Sequence, residues 1–321
     1  MKDKKSMDML RLYVKVFACF ILPFVGHAQQ VQMNTPFLLN RTLINPSYSG
    51  ALEFHQFDFF MGTKSKWNGV PGAPVVNASH ALARFTEKHS GGIQFVENAY
   101  ATHNYKSFAI PYSFTAKLND SHAIMLGLVP RFTQSSIDFS NATTELTVEP
   151  ARSNYSRIGV SMDATAGISY HFKRKLSVGV AMANFLTRGN VRLADLPNYT
   201  SFSLLQGVFD AHYLAWKSEN HTIKLDVLAT TNGALPVTYE SYVSNTMSVK
   251  DNSLLFGVGY KSTGDAVFIV RALMPKFYYL YTLDIPILGQ QITPFTGNYF
   301  GFGYRFTAPS KRSTMTNKLI I

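Results

Sequence analysis

The segment Gly297–Phe306, GNYFGFGYRF, alternates without a break. Phe300, Phe302, Tyr304 and Phe306 fall on one face, and Gly301, Gly303 and Arg305 on the other. Successive side chains of a strand point to opposite faces, so the segment predicts a strand that is greasy on one side and small or charged on the other. A last strand of this kind suits an outer-membrane β-barrel, with lipid outside and a wet lumen inside.

The same two-residue period recurs along the chain. Val160, Met162, Ala164, Ala166, Ile168 and Tyr170 alternate with Ser161, Asp163, Thr165, Gly167 and Ser169; Leu176, Val178, Val180 and Met182 face away from Ser177, Gly179 and Ala181. Ile223, Leu225 and Val227 alternate with Lys224 and Asp226, and the same holds at 107–116 and 254–260. This is strand period, not helix period. Candidate strands fall at 52–62, 74–84, 89–97, 107–117, 121–133, 160–171, 175–186, 200–214, 221–231, 236–247, 252–261, 264–273, 276–285 and 297–306. The expected fold is an all-β, transmembrane, antiparallel outer-membrane barrel of about fourteen strands.

Hairpin-sized polar turns join neighbours at Leu118–Asp120, Lys173–Lys175, Lys217–Asn220 and Lys261–Gly264. Longer connections are expected near 98–106, 134–158, 187–199 and 286–296. Short turns on one side and long loops on the other are the barrel asymmetry. In 52–62, Phe57, Phe59 and Phe60 cross the alternation, which predicts a bulge. Pro111 and Pro130 fall inside strands and should need a bulge or a rim position.

Lys2, Lys4, Lys5, Arg11 and Lys15 precede an apolar run, Val16–Val25, and the small residues Gly26-His27-Ala28. This reads as a Sec signal peptide over 1–28, too short to span as a helix. The barrel with its N-terminal approach segment follows over 29–306, and a tail over 307–321. The sole cysteine, Cys19, lies in the leader, so the mature chain is expected to have no disulfide and no thiolate chemistry. The formal charge is +11, of which five basic and two acidic leader residues account for +3. The rest is scattered or sits at turns, which suits a surface facing lipid and anionic lipopolysaccharide rather than nucleic acid. No long apolar run follows the leader, which excludes helical transmembrane topology.

Two motifs stand near the mature N-terminus. Leu43-Ile44-Asn45-Pro46-Ser47-Tyr48-Ser49-Gly50 is followed by Lys66-Trp67-Asn68-Gly69-Val70-Pro71-Gly72-Ala73-Pro74. On their own, Asn45-Pro46 favours a turn and Gly50 a tight approach to the first strand, while the glycines and prolines make 67–74 a rigid loop with one aromatic anchor. They can simply seat the first hairpin, or they can bind a partner. The pattern I-N-P-x-x-x-G, a strand, then W-x4-G-A-P, resembles the PorP/SprF family of outer-membrane proteins of the Bacteroidota type IX secretion and gliding machinery. Tyr112–Gly127, Phe256–Ala266 and Tyr281–Asp284 are similar to that family's middle and late strands. The sequence departs from the pattern at Lys64 and Lys66, and Asn298-Tyr299 stands where the family has His-Glu.

The resemblance implies a non-enzymatic accessory of type IX secretion, needing no cofactor or metal. Its partners would be a secreted surface protein or translocon and periplasmic components. The possible contact residues are Asn45, Pro46, Gly50, Trp67, Gly72, Ala73 and Pro74, with Arg152, Tyr155 and Arg157 in the long connection. No nucleophile elbow, zincin motif or phosphate loop appears, and the histidines lack metal-ligand spacing. Three other readings stay open: a transport barrel for hydrophobic or small solutes, a rim-active hydrolase, and a secreted β-sandwich. The lumen-facing charges Asp163, Lys224, Asp226 and Arg305 are expected to pair across the lumen, since unpaired buried charge is costly.

Overall fold

The computed structural model describes residues 41–52, 56–67, 70, 72–138, 156–173, 175–186, 205–232, 237–287 and 297–307. Its strands are β1 (Gln56–Ser65), β2 (Val75–Arg84), β3 (His89–Tyr100), β4 (His103–Ala109), β5 (Tyr112–Lys117), β6 (His122–Asp138), β7 (Ser156–Phe172), β8 (Leu176–Ala183), β9 (Gln206–Lys217), β10 (His221–Asn232), β11 (Thr238–Val249), β12 (Asn252–Lys261), β13 (Asp265–Leu273), β14 (Phe277–Pro286) and β15 (Gly297–Thr307). β4 and β5 lie end to end between β3 and β6 as two halves of one wall strand. β1 pairs with β15, Phe57 opposite Phe306, and the ring closes. The fold is a closed antiparallel barrel of 14 strands, as the periodicity predicts.

The alternation sorts side chains as expected. On β7, Val160 is 72% and Met162 59% exposed on the outer face, while Asp163 and Ser169 face in at 5% and 1%. Tyr304, Phe306, Phe57 and Phe59 stack around the β15–β1 seam on the outside. No helix among the described residues is long and apolar enough to cross a membrane. The signal peptide and the tail beyond Thr307 lie outside the described residues.

The expected bulge in the first strand does not occur. β1 pairs with β15 and β2 in unbroken register, and its alternation is intact once Phe60 is placed inside with Asp58 and Lys64. The register shift falls instead between Ile223 and Lys224, where β9 carries an extra residue opposite β10. The prolines need no bulge either. Gln94 pairs with Ala109 and Gly91 with Tyr112 across the gap in one constant register. Pro111 and Pro130 keep their carbonyls in the ladder, accepting from Gly92 N at 3.0 Å and Ile110 N at 3.1 Å, and forfeit only their own donors.

At one rim, the connections between β2–β3, β5–β6, β7–β8, β9–β10, β11–β12 and β13–β14 span four residues or fewer. Outer-membrane barrels carry their short turns on the periplasmic side, which orients the molecule. β1 starts and β15 ends at this rim. The opposite rim bears the long β6–β7 and β8–β9 connections. The expected long loop at 98–106 is a tight turn: β3 and β4 pair out to Tyr100–His103, turning through Ala101 at a φ of 48°. Its polar residues mimic a loop in sequence but bond to one another, Lys106 and Asn104 both reaching Glu97 Oε1 at 3.4 and 3.3 Å.

Large side chains pack into the lumen. Phe60, Val208, Leu228, Tyr242, Val267, Ile269, Tyr278, Leu280 and Tyr299 form a buried cluster on its inner face. The inward glycines, expected to border water, make room for these rings. A Cβ on Gly303 would fall within the Tyr278 ring, and one on Gly259 within that of Tyr242. Tyr299 lies 6.4 Å from Phe60 in this stack, while Asn298 accepts from Tyr281 Oη at 2.7 Å on the outer face.

Candidate functional site

The segment Arg41–Leu52 lies inside the barrel, in the half nearer the short turns. Its backbone forms two 3-10 turns, Arg41–Leu43 and Pro46–Ala51. Asn45 caps the second, its Oδ1 accepting from Ser47 N at 3.1 Å, and Pro46 takes the first helical position, where no donor is needed. The same Asn45 presents its amide to the wall, donating to Asp210 Oδ2 at 3.2 Å and lying 3.4 Å from Ile168 O.

Small residues in the wall accept this turn. Gly127 and Gly167 are register partners on β6 and β7, and Gly179 on β8 pairs with Ser169. A Cβ on Gly127 would strike the Pro46–Ser47 backbone, one on Gly167 would strike Asn45 Oδ1, and one on Gly179 would stand 2.6 Å from Asn45 Nδ2. Gly50 approaches equally closely, a Cβ there lying 2.8 Å from both Ser113 Oγ and Thr115 Oγ1. Ser47 Oγ is 2.8 Å from Ser169 Oγ. Tyr48 inserts between His171 and His212, edge-on at 5.8 and 5.7 Å, and donates its hydroxyl to Asp210. Burial, with Asp210 adjacent, pushes the Tyr48 phenol well above its ordinary range.

Arg41 completes the plug, its Nη2 3.3 Å from Asp226 Oδ1 and its guanidinium 5.8 Å from the Tyr48 ring. His212 bridges Asp226 and Asp210. Of the four lumen charges expected to pair, Asp226 does so here, and Arg305 pairs with Asp58 at 3.3 Å. Asp163 instead accepts the backbone N–H groups of Ala164 and Leu186 at 2.6 and 3.2 Å. Lys224 has no ion pair among the described residues. At the long-loop end, Asp284 holds Lys261 at 2.6 Å and Lys64 at 3.5 Å, and Lys66 reaches Asp265 at 3.5 Å.

The motif residues therefore separate. Asn45, Pro46 and Gly50 are buried within the plug, in contact with the wall. Trp67, Gly72, Ala73 and Pro74 form the β1–β2 connection at the opposite rim. Lys66 N donates to Pro74 O at 3.0 Å, and Gly72, at a φ of 73°, accepts from Ala101 N at 2.8 Å, tying this hairpin to the β3–β4 turn. Arg152 and Tyr155 lie outside the described residues; Arg157 pairs with Ile137 through the β7 backbone. Sequence reasoning missed the receptor for the plug: Arg41, Tyr48, Ser169, Asp210, His212 and the glycine recess. The inward glycines at 127, 167 and 179 on three successive strands were its one available signal.

Ser169 Oγ lies 2.9 Å from His171 Nε2, a hydroxyl–imidazole contact of the kind nucleophilic catalysis uses. Ser169 is covered by Ser47 and 1% exposed, so in this arrangement the pair holds the plug rather than meeting a substrate. Among the described residues no group of three or more His, Cys, Asp or Glu could hold a metal ion.

A closed 14-stranded barrel with an apolar outer belt and an occupied lumen defines a membrane β-barrel of the outer-membrane type. The chain belongs to the PorP/SprF family: the profile described as type IX secretion system membrane protein PorP/SprF matches residues 26–309. Several solved structures share the fold. The CymD monoaromatic hydrocarbon channel matches at 10% identity and a TM-score of 0.51, over 90% of this chain and 96% of that one. The Pseudomonas putida toluene transporter TodX matches at 10% and 0.52, over 84% and 94%. The Ralstonia pickettii toluene transporter TbuX matches at 8% and 0.52, over 89% and 99%. No curated protein matches the chain. The family points to a membrane protein with a role in type IX secretion.

Proposed function

We propose that this barrel is a non-conducting accessory of type IX secretion in the outer membrane. It would anchor or display a secreted surface protein, or link the translocon to periplasmic components. The observation that carries this reading is the occupied lumen. Arg41–Leu52 is docked on the wall by a buried polar network, and an aromatic-rich cluster packs into the lumen with Ile44 against it. A rigid wall of this kind fixes loops, and loops make contacts. The Trp67–Pro74 hairpin, the β6–β7 connection with Arg152 and Tyr155, and Arg157 at the start of β7 are the proposed contact surface.

Crosslinking in native outer membranes, followed by mild-detergent purification of a tagged copy, tests the proposal. Recovery of type IX components or of a large surface protein supports it. Recovery of the barrel alone overturns it. The second reading, passage of a hydrophobic solute, is favoured by the shared fold with CymD, TodX and TbuX. It requires the Arg41–Leu52 segment to leave the wall.

A further inference from the structure

The plug covers only part of the lumen mouth. Its closest approaches are to β5 to β9, through residues such as Thr115, Gly127, Gly167, Gly179 and Asp210, and Arg41 reaches Asp226 on β10. From β10 onward the wall carries Lys224, Arg271 and Arg305 on inward positions within four residues of the short-turn rim. Arg271 and Arg305 stand over one ring, their guanidinium carbons 5.0 and 5.3 Å from the centroid of Tyr278. Lys224 lies two residues along β10 from Asp226, the partner of Arg41, on the same inward face.

Their neutralisation is incomplete. Asp58 is taken by Arg305 at 3.3 Å, Tyr278 Oη at 3.1 Å and His80 at 3.2 Å. Asp226 is taken by Arg41 and His212. No carboxylate among the described residues pairs with Arg271 or Lys224, and Arg271 Nε is buried without a hydrogen-bond partner. Two carboxylates, Asp58 and Asp226, therefore serve four cations, and like charges held out of bulk water in excess of their counter-charges are unfavourable. Guanidinium and ammonium groups are the donors that bind oxyanions. The β9 bulge opposite Ile223 and Lys224 is the kind of irregularity that re-aims a side chain.

We propose that the periplasmic mouth of the lumen is an oxyanion-binding site built from Arg41, Lys224, Arg271 and Arg305, and that it receives a carboxylate on an acidic segment of a periplasmic partner. Lipid headgroups are not the occupant, because the site faces the lumen and β13–β15 stand between it and the bilayer. The partner class rests on the accessory reading above; the site itself does not.

The test uses the purified full chain in a neutral detergent, with calorimetric titration of a hexaglutamate peptide and, separately, of inorganic phosphate. Saturable peptide binding is expected, weakened at least tenfold in the Lys224→Gln/Arg271→Gln double variant and by added salt. Lys66→Gln, at the opposite rim, should bind as the parent does. Heat-modifiable gel migration establishes that each variant is a folded barrel. Absence of peptide binding, or equal binding by the double variant, overturns the site. Phosphate binding without peptide binding overturns the partner assignment and leaves a site for free oxyanions. Because the purified barrel contains no secretion component, this result is independent of the crosslinking outcome.

Discussion

Asn45 and Gly167 fit as peg and socket: the side-chain oxygen of Asn45 occupies the place a Cβ on Gly167 would need. Gly127 stands in the same relation to the Pro46–Ser47 backbone. A methyl group at Gly127 meets backbone atoms that cannot swing aside, and overpacking of this kind costs about 1–3 kcal/mol. Gly127→Ala and the double variant Gly127→Ala/Gly167→Ala are expected to release Arg41–Leu52 while leaving the barrel closed. Protease sensitivity of the segment should rise, and single-channel recordings in planar bilayers should show conductance that the parent lacks. Unchanged protease resistance would mean that the plug is held by contacts other than this recess.

Tyr48 supplies the second hold on the plug. Tyr48→Phe keeps the ring between His171 and His212 but removes the donor to Asp210, which then loses one buried hydrogen bond worth about 1.5–3 kcal/mol. The pH dependence has a definite sign. The docked phenol is raised above the free value of about 10, so its contribution is complete below that pH and declines as pH climbs above it. In the parent, the Tyr48 contribution to plug protection, measured by proteolysis, should stay constant between neutral pH and about 10 and weaken beyond that. In Tyr48→Phe the plug should be looser throughout, without this alkaline component.

The wall was legible in the sequence because a two-residue period is a local property, and both lipid and lumen impose it on every strand. Even β1 obeyed it; Phe60 looked like a break only because a phenylalanine was not expected inside. The lumen was not legible for a related reason. Whether an inward glycine borders water or the ring of Tyr278 depends on which strand lies next door and in what register, and Gly303 and Tyr278 are 25 residues apart in the chain but paired in space. The plug is a stronger case. Asn45-Pro46 was read correctly as a turn, yet its receptor is assembled from β6, β7, β8 and β9, and nothing local in 41–52 names them. The 98–106 region failed in the opposite way, since polar residues bonded across a hairpin look the same as a loop until the pairing is known.

Asp284 carries two lysines at the outer end of the lumen, Lys261 at 2.6 Å and Lys64 at 3.5 Å. Asp284→Asn removes the shared counter-charge and leaves both ammonium groups buried, a loss of about 3–5 kcal/mol for a broken buried pair. Replacing Lys64 and Asp284 together by Met and Leu should cost less, because one buried ammonium, Lys261, rather than two then loses the Asp284 counter-charge. Urea unfolding in detergent, followed by gel migration, compares the two. A double variant less stable than Asp284→Asn would show that packing rather than charge dominates this end.

Trp67 offers a way to separate stability from recognition. It adopts a φ of 61°, a left-handed conformation that costs a bulky residue about 1–2 kcal/mol and that glycine takes freely. The hairpin keeps its shape through Lys66 N to Pro74 O, Val70 N to Trp67 O and Gly72 O from Ala101 N, none of which uses the indole. Trp67→Gly should therefore leave barrel stability within about 1 kcal/mol of the parent, since relieved strain offsets the added freedom of the unfolded chain. If the indole is a partner contact, the same variant should lose most of the type IX components recovered by crosslinking. The matched control is Gly72→Ala, which keeps the indole but forces a Cβ to 3.2 Å from Ala101 Cα at a φ of 73°. That variant should lower the hairpin's protease resistance. Full partner recovery with Trp67→Gly would instead assign Trp67 to seating the hairpin alone.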